Sequence, residues 1–200
     1  MNKPLTFPVL LCAGLSVSAL PGAALAATPS FDCSQASGTI EELICQEDDL
    51  ATLDRHMAEV FPAAMANYPQ SEQATAKAMQ RGWIKGRNDC WKADDKKACV
   101  ESEYKNRIVE LQITGGLLEV PEPVAFKCNE TDKPFTAVFY SQTDPHSAVL
   151  TWGDDQVIAL IAPAASGSKY TGRNVEYWEH QGEARVTWLS ETLTCQPVGK

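Results

Sequence analysis

Two short stretches hold the side chains best placed to act on another molecule, Ser166-Gly167-Ser168-Lys169-Tyr170 and Trp178-Glu179-His180-Gln181-Gly182-Glu183-Ala184. A serine beside a glycine suits an exposed turn slim enough to enter a partner's cleft. The strand that follows can hold a second polar group next to it. This pattern predicts a protein-binding surface of the kind an enzyme inhibitor uses, rather than a catalytic centre. There is no Gly-x-Ser-x-Gly elbow, phosphate loop or His-Glu-x-x-His, and His56, His146 and His180 are scattered through different kinds of element. No enzymatic activity, cofactor or metal is therefore expected.

Taken singly, these residues also have plainer uses. Ser-Gly is a common turn dipeptide, and Gly182 suits a hairpin. Tyr170 and Trp178 are expected to pack and so fix the turn, while Lys169 can be an ordinary solvated side chain. In the first half of the chain, Trp83 and Tyr104 are read as core, and Arg87 and Asp89 as members of an intradomain ion pair.

The chain opens with Lys3, continues through an apolar run from Leu5 to Leu20, and reaches Ala24-Leu25-Ala26. This reads as a secretory signal peptide cleaved after Ala26, so the mature protein is expected in the periplasm. Cys12 follows Leu11, where lipid attachment wants a small residue, so no lipid anchor is expected. Removing the leader leaves Cys33, Cys45, Cys90, Cys99, Cys128 and Cys195, an even set that in an exported protein reads as disulfides rather than a zinc site. No later segment has the roughly 20 consecutive apolar residues of a membrane span. Residues 27–118 carry fifteen acidic against ten basic side chains, and residues 124–200 nine against six. An acidic surface disfavours nucleic acid and steers a basic protein inward, although charge of this kind also simply keeps an exported protein soluble.

Two periodicities divide the mature chain. Residues 27–112 read as helical. Thr39-Ile40-Glu41-Glu42 has the form of a capping box, and Leu50, Leu53, Met57, Val60, Phe61 and Ala64 share a face of a second helix in which Pro62 predicts a kink or interruption. A third helix is expected over Ser71–Asn88 and a fourth over Lys97–Gln112, with Val100, Tyr104, Ile108 and Leu111 inward. Local pairing, Cys33 with Cys45 and Cys90 with Cys99, is the most economical of three possible sets. Gly115-Gly116 and Pro121-Glu122-Pro123 mark residues 113–124 as a linker. From residue 125 onward the period becomes two, with seven or eight short strands predicting an antiparallel barrel or sandwich. A Cys128–Cys195 bridge would tie the first strand to the last.

At this level of detail a resemblance emerges. Phe31-Asp32-Cys33, Glu42-Leu43-Ile44-Cys45, Leu53-Asp54, Gln80-Arg81-Gly82-Trp83-Ile84-Lys85-Gly86-Arg87-Asn88-Asp89-Cys90, Cys99, Tyr104 and Arg107-Ile108 resemble the LprI-type lysozyme-inhibitor domain. The second half, with its Ser-Gly-x-x-Tyr motif at Ser166 to Tyr170, resembles the MliC family of inhibitors of C-type lysozyme. Together these imply an α+β chain, a disulfide-stapled helical bundle followed by an eight-stranded antiparallel β-barrel. They also imply that Ser166, Gly167, Ser168, Lys169, Tyr170, His180 and Gln181 meet a basic C-type lysozyme, with Ser166 in its active-site cleft. In that family a lysine and a glycine from a later motif assist. Ungapped alignment places His180 at the lysine position and Gln181 at the glycine position, a departure that leaves a non-inhibitory envelope adaptor, bound through the helical half, as the alternative.

Overall fold

The computed structural model describes residues 27–129 and 131–199. The leader, its Ala26 end and Cys12 lie outside these residues. Four α-helices precede eight β-strands among them. The helices are α1 (Thr39–Gln46), α2 (Asp48–Asn67), α3 (Gln70–Asn88) and α4 (Lys96–Thr114), with a short 3₁₀ turn at Asp89–Lys92 between α3 and α4. Ile40, Ile44, Leu50, Met57, Val60, Ala64, Val100, Tyr104, Ile108 and Leu111 form their common core. The apolar faces read from the 3.6 period are thus the faces that pack.

Two local expectations are corrected. Thr39 does not cap α1, because Gly38, at φ 92°, holds the cap position and Thr39 is already helical. Glu41 reaches back one residue further than a capping box allows, accepting from the Ser37 N–H at 2.8 Å. Nor does Pro62 interrupt α2, which runs on as one helix across it. Pro62 and Ala58, whose carbonyl the missing N–H would have met, are both exposed. Water can satisfy that carbonyl, so the interruption is avoided.

The helical half is further held by a buried polar network. The Tyr104 hydroxyl donates to Asp54 Oδ1 at 2.7 Å and accepts from Arg87 Nη1 at 2.6 Å. Asp54 Oδ2 accepts from the N–H and the hydroxyl of Ser30, at 2.7 and 2.6 Å. The Arg87 guanidinium also lies against the rings of Trp83 and Tyr104. Burial pushes the Tyr104 phenol far above its ordinary range, so it stays protonated and able to donate. Arg87 therefore pairs with Asp54 rather than Asp89, and Asp89 takes Lys92 at 2.8 Å. The two are sequence neighbours on opposite sides of a helix end, one facing the core and the other water. Cys33 is bridged to Cys45 and Cys90 to Cys99, pinning the segment before α1 to α1 and the 3₁₀ turn to α4.

The strands are β1 (Val124–Cys128), β2 (Phe135–Tyr140), β3 (Ser147–Trp152), β4 (Asp155–Ala162), β5 (Ser168–Gly172), β6 (Val175–His180), β7 (Glu183–Trp188) and β8 (Glu191–Pro197). Each pairs antiparallel with the next, and β1 pairs with β8, so the sheet closes into a barrel. At that closing seam Cys128 stands opposite Cys195, and the two are bridged. Closure resolves the barrel-or-sandwich choice and removes every free sheet edge. The interior alternates large and small side chains. Ala137, Ala148, Ala159 and Ala184 leave room for Phe126, Phe135, Tyr177 and Trp188.

Candidate functional site

The loop between β4 and β5 and the turn between β6 and β7 lie at one end of the barrel. Ser166 and Gly167 are exposed at the tip of the β4–β5 loop. Two contacts hold that tip. The indole N–H of Trp178 donates to the Ser166 carbonyl at 2.9 Å. Gly167, at φ +71°, lies so close to β6 that a Cβ there would stand 2.0 Å from the Glu179 carbonyl oxygen. Only glycine satisfies both the conformation and the approach.

The second half of the motif forms a two-residue hairpin. Gln181 and Gly182 take φ 54° and 83°, the pair of left-handed residues that matches the twist of adjoining strands. Gln181 sits where the MliC resemblance expects glycine, and the backbone shows why glycine suits it: φ there is positive. Gly182 N–H donates to Glu179 Oε1 at 3.1 Å, tying the turn back to β6.

Trp178 joins the two halves. Besides holding Ser166, it stacks on His180, with ring centroids 6.0 Å apart and planes 15° off parallel. His180 pairs across the ladder with Glu183, and Trp178 with Arg185. The imidazole is thereby fixed to the same indole that fixes the serine turn. Aromatic stacking of this kind contributes about 0.5–1.5 kcal/mol beyond burial.

The remaining residues divide by strand parity. Tyr170 points inward, is buried, and packs against Phe139 and Tyr177 at 5.4 and 6.2 Å. Burial raises its phenol above the ordinary range. Lys169 points outward and forms an ion pair with Glu176 at 2.8 Å. Ser168 lines the barrel mouth beside Tyr170. The structure therefore brings Ser166, Gly167, Trp178, His180 and Gln181 to one end, and commits Tyr170 to packing and Lys169 to the barrel wall. Glu179 was not singled out in the sequence, yet two-residue alternation from the inward Tyr177 marks it as inward too.

Comparison with known proteins follows the same division. Residues 32–113 match the family described as lysozyme inhibitor LprI, and residues 126–194 the family described as membrane-bound lysozyme-inhibitor of c-type lysozyme, MliC. Helical domain and barrel together define a two-part chain of the lysozyme-inhibitor class. The chain belongs to the LprI family: it is 34% identical over 194 residues to the lipoprotein LprI of Mycobacterium bovis and to that of Mycobacterium tuberculosis, covering 92% of this chain and 97% of each relative. No solved structure matches it.

Proposed function

We propose that this protein is an exported inhibitor of C-type lysozyme that works in the periplasm by inserting the Ser166 loop into the enzyme's active-site cleft. The observation that carries this reading is the preset loop tip, exposed at Ser166 and Gly167 but held from behind by Trp178 and by the backbone of β6. A turn already ordered before binding loses little entropy on entering a cleft.

The chemistry of the target suits a hydroxyl. Lysozyme works with one protonated and one ionised carboxyl. The Ser166 hydroxyl can donate to the ionised one and accept from the protonated one, satisfying both. A formal net charge of −9 favours approach by a basic enzyme and makes association salt-sensitive. The lipoprotein name of the relatives and the membrane-bound description of the MliC family support an envelope location. No described helix is long and apolar enough to cross a membrane.

The test is a peptidoglycan-lysis assay in which the mature protein is titrated against a C-type lysozyme. Wild type is expected to inhibit, and Ser166→Asp to lose at least about tenfold in potency, because a third carboxylate meets the catalytic pair. No inhibition at micromolar excess of wild type would sink the reading. Repeating the titration with each half alone assigns the activity to a domain.

His180 gives a second, pH-dependent expectation. Protonated imidazole would supply the cation that the MliC family takes from lysine, and the ring stands on the Trp178 face, across the ladder from Glu183. Inhibition should strengthen as the assay moves from about pH 8 to about pH 5, and His180→Lys should flatten that profile. An unchanged profile in His180→Ala would show that His180 does not fill the lysine role.

A further inference from the structure

The mouth of the barrel, beside the Ser166 loop, opens into a cavity of ≈ 290 Å³. Its walls include Phe126, Phe139, Tyr170 and Tyr177. These rings are set edge to face. Phe139 lies 5.6 Å from Tyr177 at 61°, Tyr170 6.2 Å from Tyr177 at 62°, and Phe126 5.9 Å from Tyr177 at 74°. The four rings thus wall one space at the barrel mouth.

One acidic side chain enters that space. Glu179 follows the inward Tyr177 by two positions on β6 and lines the cavity with it. Its negative charge adds to burial in raising the Tyr177 phenol, so the two groups share one environment. Oε1 receives the Gly182 N–H, and among the described residues no ion pair reaches the carboxylate. Nearby cations are engaged elsewhere or face outward: Lys169 pairs with Glu176, and Arg185 lies on the outer face. A half-buried carboxylate without an ion-pair partner, set at an aromatic-lined mouth, can receive a positive charge.

We propose that the barrel mouth is a socket for an organic cation, an ammonium or guanidinium head on a short stem, held by the Glu179 carboxylate and the faces of Phe139, Tyr170 and Tyr177. The volume sets the size, since it equals about ten liquid-water volumes. That admits a quaternary ammonium or a single basic side chain. Aromatic faces accept the low-hydration surface of such a cation, while Glu179 supplies the charge. The socket is independent of the inhibitor reading, because it needs no lysozyme to be filled.

The experiment is a nuclear magnetic resonance titration of the mature protein, without lysozyme, at fixed ionic strength. The probes are choline, its uncharged isostere 3,3-dimethyl-1-butanol, and Nα-acetyl-arginine amide. Saturable shifts at the amides of Ser168, Glu179 and Gly182 are expected with the cations, at least about tenfold tighter for choline than for the isostere. The tighter of choline and the arginine derivative names the source, a small quaternary amine or a protein side chain. Glu179→Gln keeps an acceptor for Gly182 and should bring choline down to the level of the isostere. Phe139→Leu, which keeps an apolar wall but removes a ring face, should weaken choline and leave the isostere unchanged. The absence of saturable shifts overturns the socket, as does an isostere equal to choline or a Glu179→Gln variant that binds choline as wild type does.

Discussion

Gly167→Ala should abolish most of the inhibition while leaving the barrel folded. The added Cβ would stand 2.0 Å from the Glu179 carbonyl oxygen, 3.0 Å from its carbon and 3.2 Å from the His180 Cα. These are backbone atoms of β6, which is paired on both sides, so the loop must move instead. At φ +71° alanine adds about 1–2 kcal/mol of left-handed strain to that displacement. The tip would leave Trp178, and the serine would no longer arrive at the target in its preset position. Central contacts of this kind carry about 2–4 kcal/mol, a loss of about 30- to 1,000-fold in affinity. The lysis assay reads the loss. The Trp178 indole N–H resonance reads the broken bond to Ser166 without any lysozyme present. An inhibitor of wild-type potency with an unmoved indole resonance would show that the close approach at Gly167 sets nothing.

Asp54→Ala should be the most damaging single change in the helical half. It removes the acceptor for Tyr104 and both Ser30 donors, and it leaves Arg87 buried at 5% exposure without its countercharge. Breaking a buried pair from one side costs about 3–5 kcal/mol, because the remaining charge keeps its desolvation penalty. A small domain has about 5–15 kcal/mol in total, so most of its stability is at risk. Chemical denaturation followed by helical circular dichroism measures it. The barrel shares no residue of this network, so its own unfolding should stay unchanged. A loss below about 1 kcal/mol would mean that the network contributes no more than a surface pair. Asp54, Arg87 and Tyr104 all fall within the LprI-like motifs, so this part of the resemblance rests on a polar core.

Much of this was legible in the residues. The 3.6 period located four helices because each buries a single face, and Gly115-Gly116 with the prolines marked where that period ends. Alternation located the longer strands, since a barrel wall has one wet side and one dry side. β5, Ser168-Lys169-Tyr170-Thr171-Gly172, has one large apolar side chain and gives alternation little to mark, and alternation did not separate barrel from sandwich. In–out alternation says which face is buried, whereas closure depends on which strand meets β1. Arg87 and Asp89 do enter intradomain ion pairs, but each with a partner of its own: residues close in sequence at a helix end can face opposite surroundings, and only the packing of α2 and α3 on α4 brings Asp54 to Arg87.

By itself, then, the sequence determined the two halves, their periods, an even set of cysteines and a Ser-Gly tip with a departure at His180 and Gln181. Those properties are local, set by side-chain type and spacing along one strand or helix. The tertiary structure decided what joins them. Pairing β5 to β6 and β6 to β7 brings the loop tip and the hairpin onto one indole, so that Trp178 holds Ser166 and stacks on His180. It turned Glu179 into the barrel mouth and laid Gly167 on the β6 backbone. Each of these depends on strand register and ring closure, which are long-range contacts that no short window of residues contains.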